Sequence, residues 1–358
     1  MKKHLCYLAA AVVAMSSCTE SEVVEISQSK AIGFDGYVGN MTRAEQEGLT
    51  KKNLEEFYAF GAYTTPDKTT PVFIFDGKTS GSSQIKKNDG NWQYAPVNYW
   101  LEGATYKFAA YAPALDKVPD FDYATNKMTI KNFKATGSKD LLIAATHEDG
   151  IKALKEKNPG VSLNFKHALS KVRFTITDDW RNELKMSVEN VKLTGVKGVG
   201  TLTTPADLSA LPNLSLDMWS ISTDATITQP TYQDINGTGS DYLTNNGDTY
   251  IFENFLLPQN IADKQMSLTF TVSVTNNSGG GPIIGDDADH PHTKTLTVTI
   301  PNDTYASWTP GNSYNYILKI NGATFGLQTI YFDNIEVSDW TKEEDKEIET
   351  ENLASPAN

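Results

Sequence analysis

The sequence predicts an all-β chain built as sandwiches, and three observations predict it. Apolar residues recur at every second position in several short segments, turn-forming residues separate those segments, and no strand pattern alternates with a helical one. Gly, Thr, Tyr, Val and Ile recur throughout, while long runs of Ala, Leu, Glu and Lys are missing. Such a chain stacks sheet on sheet rather than winding helices around a parallel sheet.

The alternation is plain in four places. Lys171-Val-Arg-Phe-Thr-Ile-Thr177 puts Val172, Phe174 and Ile176 on one face. Met266, Leu268, Phe270, Val272 and Val274 alternate with small polar residues, and Leu296, Val298 and Ile300 repeat the pattern. Tyr314, Tyr316, Leu318 and Ile320 do the same. A half-buried antiparallel strand needs such a face, because successive side chains point to opposite sides. The one helical candidate, Glu45 to Glu56, is short and polar and reads equally well as a loop.

At 358 residues and 39.4 kDa the chain is long enough for two domains. Lys155-Glu-Lys-Asn-Pro-Gly160 combines charge with a Pro-Gly turn, so a boundary is expected there. The expected division is 31–158 for an N-terminal sandwich and 159–340 for a C-terminal one. The first half is the denser in aromatics: Trp92, Tyr94, Tyr99, Trp100, Tyr106, Phe108 and Tyr111. Residues 341–358 are acidic, carry Pro356, lack an alternating face and read as a disordered tail.

Lys2 and Lys3 precede a short apolar run from Leu5 to Met15, and Ser16-Ser17-Cys18 closes it. A run this short does not reach the ~20 residues of a membrane span, so residues 1–17 read as an export signal. A cysteine directly after the small residues makes it resemble a bacterial lipoprotein signal, with cleavage before Cys18 and a lipid on its thiol. Met15 stands where Leu is usual, and an ordinary secretory signal cut near Ser17 is the alternative. The chain has two cysteines; Cys6 would leave with the signal and Cys18 would be acylated. No thiol then remains for a disulfide, a nucleophile or a metal site. Residues 18–30 form a polar, acidic tether.

Lys+Arg number 31 against 44 Asp+Glu, for a net charge of −13. That balance argues against a nucleic-acid binder, which would show a basic face or stripe. No G-x-S-x-G elbow, P-loop or dinucleotide fingerprint is present, and Gly279-Gly280-Gly281 precedes no helix pattern. Asp286-Asp-Ala-Asp289-His-Pro-His292 gathers acids and imidazoles, but Pro291 separates the histidines, and a solvated loop is the expectation. His167 beside a strand reads as a structural histidine. No enzyme, cofactor or metal is called for. Clustered aromatics could stack on sugars, yet rings alternating along strands more often fill the space between sheets.

Several stretches, in order, resemble the fimbrillin family of Bacteroidales pilins and surface lipoproteins. They are Trp92-Gln-Tyr94-Ala-Pro96-Val-Asn-Tyr99-Trp100, then Tyr106-Lys-Phe108-Ala-Ala-Tyr111-Ala-Pro113, then Asp140-Leu-Leu-Ile-Ala144. Leu163-Asn-Phe165-Lys-His167-Ala-Leu-Ser-Lys171-Val-Arg-Phe174 follows, then Val191-Lys-Leu-Thr-Gly195, Gly200-Thr-Leu202 and Leu256-Leu-Pro258-Gln259. Trp308-Thr-Pro-Gly311-Asn-Ser-Tyr314 and Val337-Ser-Asp-Trp340 complete the set.

The resemblance implies two tandem transthyretin-like β-sandwiches, exported as an outer-membrane lipoprotein and displayed in surface fimbriae. It implies partnership with other pilin subunits, the same or related, and adhesion to a host or bacterial surface receptor or glycan. In polymerising members an Arg-specific protease cuts after the first strand, and a neighbour's strand fills the freed groove. Here the matching cut is Arg43-Ala44, and the displaced strand would carry Ile32, Phe34 and Val38 on one face. One departure stands out: Thr341-Lys-Glu-Glu-Asp-Lys-Glu-Ile-Glu-Thr-Glu351 is no apolar donor. Either Thr329 to Val337 donates, or the chain is a tip or accessory subunit, or a surface lipoprotein that binds glycans and never polymerises.

Overall fold

The computed structural model describes residues 31–38, 49, 53–135, 137–157, 160–178, 184–209, 211, 213–228, 250–262, 266–276, 293–301, 305–320 and 332–339. The protein is all-β. Among the described residues the largest sheet has nine strands and runs β1 (Phe34–Val38), β11 (Val161–His167), β9 (Leu142–Ala145), β6 (Thr105–Ala112), β2 (Glu56–Thr65), β4 (Gln84–Asn88), β5 (Asn91–Gln93). Two strands join from the side: β3 (Lys68–Asp76) pairs β2, and β10 (Ile151–Lys152) pairs β6.

A six-stranded sheet follows the order β18 (Thr293–Thr299), β17 (Ser267–Asn276), β13 (Leu184–Thr203), β8 (Lys127–Lys134), β7 (Asp120–Asp122), with β14 (Trp219–Thr228) also on β13. The four-stranded sheet is β15 (Tyr250–Leu256), β12 (Ser170–Asp178), β20 (Asn312–Ile320), β21 (Phe332–Asp339). A short pair, β16 (Gln259–Asn260) and β19 (Ser307–Trp308), sits apart.

The expected alternating strands form, and the described side chains of the expected faces are buried. Val172, Phe174 and Ile176 of β12, with Tyr314, Tyr316 and Leu318 of β20, share one core with Leu268, Phe270 and Val272 of β17 and with Val298 of β18. Two sheets closing on one core is a sandwich. Trp308 is enclosed there, and its indole donates to the Tyr316 hydroxyl at 2.8 Å, so its one polar atom is satisfied. The neighbouring Thr309 amide donates to the Tyr314 hydroxyl at 2.8 Å. That bond shows why the Trp-Thr-Pro-Gly-Asn-Ser-Tyr stretch holds its turn.

The nine-stranded sheet is buried on both faces. Phe57 and Ala59 of β2, Phe108 and Ala110 of β6, and Leu142 and Ala144 of β9 enter one core. Their alternate neighbours Tyr58, Phe60, Ala109, Tyr111 and Ile143 enter another, together with Met128 and Ile130 of β8, Leu202 of β13 and Trp219 of β14. The second core therefore joins the nine-stranded sheet to the six-stranded one. Central strands covered on both sides read as continuous apolar runs, as Leu141-Leu-Ile-Ala-Ala145 does.

The hydrogen-bonded sheets do not part at 158/159. β11, expected to open the C-terminal domain, pairs with β1 and β9 in the nine-stranded sheet. β7 and β8, expected in the N-terminal domain, pair with one another and join β13. The physical reason is that a Pro-Gly turn marks where the chain bends and carries no information about which sheet edge takes the next strand. Of the candidate helix Glu45–Glu56, only Leu49 and residues 53–56 are described, and Glu56 already opens β2.

Candidate functional site

The first strand and the groove it fills form the candidate site. β1 lies at the end of the nine-stranded sheet and runs parallel to β11, with Phe34 opposite Val161, Gly36 opposite Leu163 and Val38 opposite Phe165. The Val161 amide donates to the Gly33 carbonyl at 2.8 Å. Upstream the chain is gripped from another direction: Ala31 bridges Tyr99, and the Ile32 amide donates to the Asn98 carbonyl at 2.9 Å.

The side chains explain why the strand stays. Ile32 is 1% exposed and Phe34 is 6% exposed, and both belong to the core that β11 also lines. Phe34 meets four rings edge-on: Phe57 at 5.7 Å, Phe75 at 5.4 Å, Tyr94 at 5.8 Å and Phe108 at 6.0 Å between centroids. Edge-to-face pairs set the positive ring edge against a negative face, worth roughly 0.5–1.5 kcal/mol each beyond area. Burying Ile32 and Phe34 adds roughly 1.5–3 kcal/mol apiece. Without the strand, this aromatic pocket and the β11 backbone edge would face water.

Tyr94 is the polar clasp on the strand. Its hydroxyl donates to the Ile32 carbonyl at 2.7 Å, while the Asn98 amide donates to that same hydroxyl at 3.3 Å. Burial pushes the phenol up to about 12, against the opposing influence of the Asn98 backbone. A phenol whose pKa rises on folding contributes stability that is whole below its unfolded value of about 10. That contribution is lost as the pH climbs through about 12. Tyr94→Phe is therefore expected to cost about 1 kcal/mol at neutral pH and to flatten the alkaline fall in stability. Denaturant titrations of both proteins from pH 8 to pH ~12 measure this, and an unchanged alkaline limb would remove Tyr94 from the hold on β1.

A second group anchors the chain just beyond the segment that carries Arg43. His167, at the end of β11, places Nδ1 2.6 Å from Asp140 Oδ2, with both side chains buried. The other carboxylate oxygen accepts the Leu141 amide at 2.8 Å, and Oδ2 also accepts the Leu49 amide at 3.2 Å. The structural role expected of His167 is the one it has here. Its partner Asp140, and the link to Leu49, were not legible in the sequence.

Of the expected strand residues, Ile32 and Phe34 point into the groove, and Val38 holds its place in the ladder through its backbone. Cys18, Arg43 and Ala44 lie outside the described residues, as do His290 and His292. Most of the aromatic cluster is core: Trp100, Tyr106, Phe108 and Tyr111 are buried, Trp92 and Tyr94 pack against the same core, and Tyr99 alone is half exposed. Sequence reasoning missed Phe57, Phe75, Val161, Leu163 and Phe165 as groove lining. The Leu163-Asn-Phe165 alternation signals that β11 has a buried face, though not that β1 is its partner.

Among the described residues, no group of three or more His, Cys, Asp or Glu is placed to hold a metal ion. No helix among them is long and apolar enough to cross a membrane. The family model described as Fimbrillin-like matches residues 42–340, so β1 lies just ahead of the match. A fimbrial protein from Bacteroides vulgatus ATCC 8482 is similar in structure at 15% identity and a TM-score of 0.49, over 87% of this chain and 100% of that one. A fimbrial assembly protein from Parabacteroides distasonis ATCC 8503 is similar at 11% identity and a TM-score of 0.42, over 89% of this chain and 99% of that one. No curated protein matches the sequence.

Proposed function

The chain belongs to the Fimbrillin-like family, and from that membership we propose that it is a structural and adhesive subunit of surface fimbriae, activated by the removal of β1. The reading has an export signal ending at Cys18, a lipid on that cysteine and display from the outer membrane. Hydrolysis of the Arg43–Ala44 peptide bond would then sever β1 from the rest of the chain. A strand from a neighbouring subunit would take its place against β11 and around the aromatic pocket.

The observation that carries this reading is the edge position of β1 with Phe34 sunk among four rings. A vacated edge leaves unpaired N–H and C=O groups beside an apolar groove. Strand addition restores the ladder and refills the side-chain pocket. The new end left by the cut would stay fixed at Leu49, whose amide is held by Asp140.

A second reading concerns which role the subunit plays. β21 contains most of the stretch considered as a donor, and it already pairs along β20, with Tyr316 opposite Ile335 and Tyr314 opposite Val337. Ile335 is 3% exposed. A strand so engaged, followed by an acidic segment, favours a subunit that accepts a strand without donating one, as a tip or accessory pilin does.

Limited trypsin digestion of the full chain, with intact mass and gel filtration, tests both. The expected first cut falls after Arg43 and is absent from Arg43→Ala. Assembly of the cut protein into oligomers would support a stalk subunit. Cut protein that stays monomeric yet takes up a synthetic peptide of residues 30–40 would support a tip or accessory role. A folded chain that resists cleavage at Arg43 would overturn the activation step.

A further inference from the structure

Away from the strand groove, the described residues form a second concave site, a cleft of about 520 Å³. That lies within the ~300–1,000 Å³ usual for small-molecule sites. Three separate stretches meet there: residues 113–117 after β6, Ile130 to Lys134 of β8, and residues 139–140 ahead of β9. Lys117, Lys131, Lys134 and Lys139 line it, against the carboxylates of Asp116 and Asp140. Asp140 is already engaged by His167, and Lys131 pairs with Asp120 at 2.6 Å. Lys117, Lys134 and Lys139 have no ion pair among the described residues. In a chain of net charge −13 this is a local positive field.

The backbone adds an independent observation. The register between β8 and β13 shifts here: Phe133 faces Gly200 and Ile130 faces Leu202, so β8 carries one residue more than its partner. Asn132, in this bulge, adopts φ 52°, and its backbone N–H donates to Thr201 Oγ1 at 3.4 Å, which leaves the side-chain carboxamide a separate group. A bulge re-aims side chains and recurs beside binding sites. Phe133, fixed against Trp219 at 5.9 Å between ring centroids, also lines the cleft.

We propose that this cleft binds an anionic saccharide. The lysines would take a uronic-acid carboxylate, the Phe133 ring would meet the apolar face of a sugar, and the Asn132 carboxamide offers both donors and an acceptor to hydroxyls. The proposal is independent of strand exchange and holds whether or not β1 is released.

Calorimetric titration of the intact chain with a galacturonic acid hexasaccharide tests it, with maltohexaose as the uncharged counterpart. Saturable binding of the acidic sugar is expected, weakening as salt is added. Lys117→Gln, Lys134→Gln and Lys139→Gln combined should lower affinity roughly tenfold, the size of three exposed ion pairs. Lys68→Gln, Lys86→Gln and Lys152→Gln combined remove the same charge elsewhere and should change affinity by less than about twofold. Asn132→Gly keeps the left-handed backbone and should weaken binding. Absence of saturation at millimolar sugar, equal binding of maltohexaose, or equal losses in the two triple variants would overturn the proposal.

Discussion

Phe34→Ala is expected to weaken the hold on β1 by about 3–5 kcal/mol, the usual penalty for hollowing out a buried phenylalanine site. The ring is 6% exposed and touches four others, so truncation leaves Phe57, Phe75, Tyr94 and Phe108 with a shared void. Because β1 is an edge strand followed by a long connection, the loss should appear first as local opening rather than global unfolding. Hydrogen exchange reads it directly. The Val161 and Ile32 amides, which donate to Gly33 and Asn98, should lose protection while amides deep in the β12–β20 ladder keep theirs. Trypsin should also cut after Arg43 faster. Unchanged protection at Val161 would mean that Phe34 does not hold the strand, and the groove reading would fall with it.

His167→Ala is expected to cost about 3–5 kcal/mol, because it empties a buried ring site and leaves the Asp140 carboxyl group buried without its hydrogen bond to the imidazole. The side chains of the two residues are 1% and 0% exposed, so water cannot replace the imidazole without opening the core. Asp140→Asn should cost less, about 1–3 kcal/mol, since the amide keeps an acceptor for the Leu141 N–H. Chemical denaturation of the three proteins gives the order. Here the effect should be global, because the pair joins the β11 terminus to the start of β9 and to Leu49. A loss for His167→Ala under about 1 kcal/mol would show that the pair is a surface-like contact.

The alternating segments were legible because a side-chain period of two is a local property. Val172, Phe174 and Ile176 had to share a face whatever covered it, and they proved buried together. The same holds for Ile32 and Phe34, and for the aromatic run from Trp92 to Tyr111, whose rings mostly fill core. A face, however, does not name its cover. β11 has a buried side in any arrangement, yet its parallel pairing with the distant β1 depends on which sheet edge is open when the two meet.

The sequence by itself therefore determined the all-β class, the buried faces of most strands, the acidic charge and the family resemblance. Only the tertiary structure decided that β11 serves the first sheet and that β7 and β8 join the second. It also brought Phe34 into a ring of aromatics drawn from β2, β3, β6 and the turn after β5, and gathered lysines from three stretches into one cleft. The physical reason is one of range. Side-chain alternation and turn chemistry act over a few residues, whereas sheet partnership and convergent sites follow from burying several such faces at once.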